Sequence, residues 1–322
     1  LVPFLLTLQH LLLYTIYGEN HYTSKGKTSM KKLIVTAALL ATTGLAAAQA
    51  TVYGRMNATV DSTKTGTVKT DSMVNDISHI GFRVQENLGH GLAARAVIET
   101  GITSQDPVAG TDTQLGNRQS TVGVAGRLGS VDIGRTVHGV FTTLADGDSF
   151  GALYGSIAGD VHDLRGLRLS NGVFARATVI PGVTVGMDRT HTAVGNEAVV
   201  YSASGKVAGV NVGVARFEQG TEKSTVASAG LRRGATGVFY SYSDNSGAAN
   251  SKGHLVGVSQ KMGAMTVKAG YGQTDRDVKA YNVGAEYAFS KRTDMLVSLR
   301  DVNRAGTTQD VRQIGVGITH RF

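Results

Sequence analysis

The chain has 322 residues, no cysteine, no tryptophan, a formal net charge of +8, and 42 glycines against three prolines. Without cysteine there is no disulfide framework, no thiolate metal site and no thiol nucleophile. The basic residues are scattered along the chain instead of gathering into one run or face, which argues against a nucleic-acid-binding protein.

The first 50 residues stand apart. Met30-Lys31-Lys32 is a short positive segment, Leu33 to Leu45 is apolar with Gly44 near its end, and Ala48-Gln49-Ala50 is a small-x-small signal. These are the parts of a Sec-type leader cut after Ala50, so residues 30–50 are expected to be a signal peptide. Residues 1–29 then precede the natural start and are expected to be an upstream extension of the reading frame, absent from the mature protein. Their apolar stretch, Leu1 to Tyr17, is broken by Pro3, Gln9 and His10 and lies at the short limit for a membrane span. Without Lys25, Lys27, Lys31, Lys32 and Glu19, residues 51–322 carry 28 basic against 23 acidic side chains. They also hold 39 glycines and only Pro107 and Pro181, a composition suited to many hydrogen-bonded strands.

From Thr51 onward, segments of about ten residues alternate apolar with polar or small side chains, the period of a β-strand. The first places Val52, Gly54, Met56, Ala58 and Val60 on one face and Tyr53, Arg55, Asn57, Thr59 and Asp61 on the other. Further strands are expected near 76–86, 91–101, 117–126, 128–137, 170–178, 182–190, 196–204, 206–217, 224–233, 235–244, 251–260 and 264–274. The segment near 277–289 alternates clearly, with Tyr281, Val283, Ala285, Tyr287 and Phe289 opposite Asn282, Gly284, Glu286 and Ala288. Strands near 293–304 and 309–322 complete the series, the last with Ile314, Val316, Ile318, His320 and Phe322 on one face. This reading gives sixteen strands, and a fourteen-strand parse stays open.

Alternation alone does not say which face is dry. The leader exports the protein, long charged residues (Arg55, Arg83, Arg95, Glu99, Lys268, Glu286) sit in strand middles, and the apolar faces hold few large side chains. A soluble sandwich core of this length would carry more Leu, Ile and Phe, whereas lipid demands no such interlocking. The expected fold class is therefore all-β, an antiparallel transmembrane β-barrel with a wet lumen. Closure follows, because an open sheet edge in hydrocarbon leaves backbone groups unpaired at several kcal/mol each.

No catalytic constellation accompanies the fold. His138, His162 with Asp163, and several serines are present without a nucleophile elbow, a zinc helix or a paired-carboxylate motif. Asp146-x-Asp148 lacks the downstream Glu of a calcium loop. The sequence thus points away from an enzyme and implies no cofactor and no metal.

Several pieces then resemble the trimeric general porins of Gram-negative outer membranes. They are Val52-Tyr53-Gly54-Arg55, Ile80-Gly81-Phe82-Arg83, Glu86-Asn87-Leu88-Gly89-His90-Gly91-Leu92, Gly116-Asn117-Arg118-Gln119, Leu128-Gly129-Ser130-Val131-Asp132-Ile133-Gly134-Arg135, Ser290-Lys291-Arg292-Thr293 and the closing His320-Arg321-Phe322. The match covers the first third and last sixth of the barrel region; residues 190–260 share only the alternation.

The resemblance implies an integral outer-membrane channel for passive diffusion of small hydrophilic solutes and ions, and the basic excess of residues 51–322 with a basic wall adds an expected mild anion preference. It implies a third loop, about His138 to Leu169, folded into the barrel opposite a basic ladder. Carried over by position, that ladder falls on Arg55, His79 and Arg118, with Arg83 and Arg135 as further lumen charges. The loop offers Asp146, Asp148, Asp160 and Asp163, of which Asp146 and Asp148 are the expected constriction acids. Expected partners are two further copies in a homotrimer, outer-membrane lipid and lipopolysaccharide, small solutes, and the outer-membrane assembly machinery through Phe322. The departures are Gly147-Asp148-Ser149-Phe150-Gly151 in place of the family's Pro-Glu-Phe-Gly-Gly type motif, and His79 where an Arg is common, which makes that rung titratable. A substrate-specific channel and an adhesive or structural barrel are the rival readings; the first would need an aromatic lumen track, for which Tyr53 and Phe239 are too few.

Overall fold

A computed structural model describes residues 49–102, 114–191, 196–247, 251–306 and 309–322; the upstream segment and nearly all of the leader lie outside the described residues. The strands are β1 (Gln49–Thr65), β2 (Val68–Val74), β3 (His79–Gly89), β4 (Leu92–Gly101), β5 (Gln119–Gly126) and β6 (Gly129–Val137). After a long connection come β7 (Arg168–Ile180), β8 (Val183–Thr190), β9 (Ala198–Val207), β10 (Val210–Gln219), β11 (Glu222–Arg233) and β12 (Thr236–Ser246). The series ends with β13 (Lys252–Met262), β14 (Met265–Thr274), β15 (Val278–Ala288), β16 (Thr293–Arg304) and β17 (Val311–Arg321). Sequence neighbours pair antiparallel throughout except β2 and β3, which both pair with β1, and β1 pairs with β17 from Arg55↔Arg321 to Thr65↔Val311, closing the ring. The leader's expected cut after Ala50 falls inside β1, just after its second rung, Ala50↔Val84.

The seventeen segments form sixteen staves, because β2 and β3 are one stave interrupted at residues 75–78. β1 faces β3 up to Arg55↔His79 and β2 from Thr59↔Val74 onward. Across the gap Asn57 and Ser78 supply the missing ladder bonds. Asn57 N donates to Ser78 Oγ at 2.7 Å, Ser78 Oγ donates to the Asn57 carbonyl at 3.1 Å, and Asp76 N donates to Asn57 Oδ1 at 3.2 Å. The sequence reading began this stave near 76 and missed 68–74, where Lys69, Thr70, Asp71 and Ser72 leave no apolar alternation.

Burial follows the expected period. In β13 Gly253, Leu255, Gly257 and Ser259 are buried while His254, Val256, Val258 and Gln260 are exposed. The outward rows form an apolar band, including Val60, Val122, Ile133, Val258 and Val316, the face a barrel turns to hydrocarbon. The seam closes on Phe322, whose backbone exchanges hydrogen bonds with Gly54 at 3.0 and 3.1 Å. A Cβ on Gly54 would lie 2.3 Å from Phe322 Cζ, so the aromatic ring lies where only glycine leaves room.

The long connection between β6 and β7 holds helix α1 (Gly139–Asp146) and the single turn α2 (Ala158–Val161). Two apolar clusters seat it against lumen-facing strand positions. Val140 and Leu144 pack with Val200, Ala215, Phe217 and Val226, and Ile157, Ala158 and Val161 pack with Leu255, Ala280 and Val302. Each buried aliphatic side chain contributes about 1.5–3 kcal/mol relative to exposure. These inward apolar residues on β9 to β16 would be out of place in a lumen filled only with water, and the loop is what they are for.

Candidate functional site

The ladder residues sit on the wall built by β1, β3, β4 and the start of β5. Arg55 and His79 are cross-strand partners. His79 Nδ1 lies 2.6 Å from the Ile77 carbonyl, and its Nε2 is 3.7 Å from Glu99 Oε2. Arg118 Nε donates to Glu99 Oε1 at 2.7 Å, and Tyr53 Oη donates to Glu99 Oε2 at 3.2 Å. Arg83 stacks over the Tyr53 ring, 5.1 Å from its centroid. The ladder residues Arg55, His79 and Arg118 are thus brought together, with Arg83 two rungs away on the same face.

Arg55 is the least compensated of them. It contacts Thr319 Oγ1 at 3.5 Å, its Nε is buried without a partner, and no carboxylate bonds to it among the described residues. Asp76, in the break of the second stave, lies within electrostatic reach of both Arg55 and Arg118. The acids nearest the ladder are therefore Glu99 and Asp76, both on the wall.

Arg135 differs from the expectation. It pairs with Ser120, on the register of the exposed residues Val122 and Ile133. Its Nε donates to the Asn117 carbonyl at 2.7 Å, and Nη1 bonds to Ser170. That register sets it off the inward row of Arg95 and Asp132, as its shared parity with Ile133 requires.

The loop acids also depart from the expectation, and hydrogen-bond supply explains it. Asp148 is 3% exposed, and its carboxylate accepts from Phe150 N at 3.0 Å, Ala152 N at 2.9 Å and Ser156 Oγ. It folds the loop and presents no free charge to the lumen. Asp160 accepts from Arg300 and Arg304 on β16, each at 3.1 Å. Asp163 accepts from Arg165 N at 2.9 Å. Asp146 alone of the four stays exposed; burial still pushes its carboxyl above the usual carboxylate range, and it borders a cavity with Arg232, away from the ladder.

The unexpected motif Gly147-Asp148-Ser149-Phe150-Gly151 has its own docking logic. A Cβ on Gly147 would meet the Tyr240 carbonyl oxygen at 2.4 Å, so glycine allows the close approach to β12. Ser149 Oγ donates to the Ala269 carbonyl at 3.2 Å, and Lys268 Nζ sits 5.5 Å from the Phe150 ring centroid. Farther on, Tyr154 N donates to Asp76 Oδ2 at 2.9 Å, and Tyr154 Oη bonds to Asp61 of β1. On the return, His162 lies with Nδ1 2.8 Å from Ser243 Oγ and Nε2 2.9 Å from Ser241 Oγ.

Comparison with known proteins agrees with this architecture. The Gram-negative porin family profile matches residues 35–307. The major outer membrane protein P.IB of Neisseria meningitidis serogroup B is 36% identical over 115 residues, 33% of this chain and 34% of that protein. Its Neisseria gonorrhoeae counterpart is 34% identical over 147 residues, 43% of this chain and 40% of that protein. The chain thus matches a third to two fifths of the length of these relatives. Among solved structures, the anion-selective porin from Comamonas acidovorans superposes with a TM-score of 0.71 at 19% identity, covering 85% of this chain and all of that one. Salmonella typhi OmpF gives 0.70 at 16%, covering 85% and 98%.

A closed sixteen-stave antiparallel barrel with an apolar outer band is an integral outer-membrane protein of the porin class. The chain belongs to the Gram-negative porin family.

Proposed function

We propose that the barrel is a passive diffusion channel for small hydrophilic solutes and ions with a preference for anions. The observation that carries this reading is the imbalance at the constriction. Arg118 and His79 both approach Glu99, Arg55 has no carboxylate bonded to it among the described residues, and Asp76 is the other wall acid within electrostatic reach of the two arginines. Meanwhile Asp148, Asp160 and Asp163 are taken up by donors of the loop and wall. A low-dielectric wall with unbalanced cations raises the local anion concentration, and weak, distributed contacts let solutes leave. The likeness to a porin whose name states anion selectivity is consistent with this.

The working unit in this reading is a homotrimer of chains cleaved after Ala50, bounded by lipid and lipopolysaccharide, with Phe322 as the terminal residue read during assembly. Intact mass of protein purified from outer membranes tests the cleavage, and cross-linking tests the trimer. The deciding experiment is planar-bilayer recording with reversal potentials in a salt gradient. Conductance steps in threes with a reversal potential on the chloride side are expected. Absence of conductance above the lipid baseline overturns the channel, and a cation-side potential overturns the preference.

A further inference from the structure

Beneath the loop, where α1 ends, a cavity of about 340 Å³ opens between the loop and strands β10, β11, β12 and β14. Two of the side chains lining it carry opposite charges, Asp146 and Arg232. Among the described residues neither has an ion-pair partner. Burial alone raises the Asp146 carboxyl, and the Arg232 guanidinium rests over the Phe239 ring, 4.7 Å from its centroid. The other two charges on the cavity are already engaged, Lys268 by Glu286 at 2.6 Å and Asp148 by Phe150 N, Ala152 N and Ser156 Oγ. Asn211 adds an amide, and Phe150 and Phe239 add apolar surface.

A charge lining a cavity without a partner is a recognition element, because a ligand that supplies the counter-charge gains a charge-assisted hydrogen bond without having to break an existing one. A small anion would match Arg232 and meet Asp146. A small cation would match Asp146 and meet Arg232. Only a solute carrying both charges satisfies both walls. The volume falls at the lower end of small-ligand sites, about 300–1,000 Å³, and the guanidinium is held in place by its ring, which keeps its fork available for bidentate carboxylate binding.

We propose that this cavity is a transit subsite for small zwitterionic α-amino acids, the carboxylate bound by Arg232 and the ammonium by Asp146. The proposal rests on the diffusion-channel reading and goes beyond it by naming a solute class and a place. It also removes Asp146 from the charges that set ion preference at the ladder.

The test compares glycine with glycolamide, its uncharged isomer, in swelling of liposomes that contain protein purified from outer membranes. The same vesicles are assayed for potassium chloride conductance. Glycine should enter about threefold faster than glycolamide, the scale of a weak subsite that fills and empties during transit. In Asp146→Asn and in Arg232→Gln the ratio should fall to about one. Asn211→Ala, which keeps both charges, should retain most of the preference and serves if either charge variant fails to assemble. A wild-type ratio of one, or a ratio unchanged in both charge variants, overturns the subsite while conductance leaves the channel standing. Vesicles without conductance overturn the channel itself.

Discussion

Glu99 accepts a 2.7 Å hydrogen bond from Arg118 Nε with one oxygen, leaving the other for Tyr53 and, at 3.7 Å, His79. A wall carboxylate, with Asp76 within electrostatic reach of Arg55 and Arg118 beside it, therefore offsets positive charge of the ladder, a task the resemblance assigned to the loop. Glu99→Gln should move the reversal potential further to the anion side, and Arg118→Glu should move it toward cations. Both shifts should shrink between 0.1 M and 1 M salt, as the screening length falls from about 10 Å to about 3 Å. An unchanged potential in Arg118→Glu would remove that residue from the selectivity region.

Asp148 makes a different prediction from the one its position in the sequence invites. Its carboxylate is buried among Phe150 N, Ala152 N and Ser156 Oγ. Asp148→Ala leaves those donors unsatisfied, at about 1–3 kcal/mol for a buried polar group. The loop should loosen, with noisier open-channel current and faster amide exchange at Phe150 and Ala152, while ion preference changes little. A clean shift of reversal potential with a quiet current would instead restore Asp148 as a constriction charge.

These two acids show what could and could not be read from residue order. Period two fixes which way a side chain points, so Arg55, Arg83 and Glu99 were legible as lumen charges from their strand parity alone. Parity also carried the outer band and the sixteen staves. It also sets Arg135 on the row of Ile133, against the lumen role the resemblance implied, and it is silent at β2, whose polar run hides its pairing. It says nothing about a loop. Asp146, Asp148, Asp160 and Asp163 are indistinguishable by type and spacing; only the donors each meets in three dimensions separate them. Asp76 and Arg232 were missed for the same reason, since each gains its role from a neighbour far away in sequence.

The return limb of the loop should respond to acid. His162 is 2% exposed between two serine hydroxyls, and burial pulls its pKa down to about 3, with His254 adding a smaller push in the same direction. An undocked loop would take up a proton near the ordinary histidine value of about 6.5. Docking is thus fully supported above that value and weakens as the pH falls from about 6.5 toward about 3, because only the released form binds the proton. Burial lowers the pKa of His138 as well and acts in the same sense. Hydrogen exchange of residues 154–167 at pH 7.0 and pH 4.5 should show protection lost at the lower value, with a much flatter response in His162→Gln. Equal protection of the wild-type loop at both values would sink this account.

Asp160 tests whether an ion pair in this loop serves stability or charge balance. Its carboxylate accepts from Arg300 and Arg304, yet burial outweighs both arginines and holds the carboxyl above its usual range. A pair whose desolvation cost offsets its attraction adds little net stability. Asp160→Asn should therefore shift the unfolding midpoint by no more than a few degrees, the effect of about 1 kcal/mol or less. Its consequence for conduction should be larger. Arg300 and Arg304 would keep their positive charge beside the loop with no carboxylate from Asp160 to balance it, so anion preference should rise by about the same step as in Glu99→Gln, each substitution removing one negative charge from the lumen. A large loss of thermal stability with an unaltered reversal potential would show that the contact is a structural clasp.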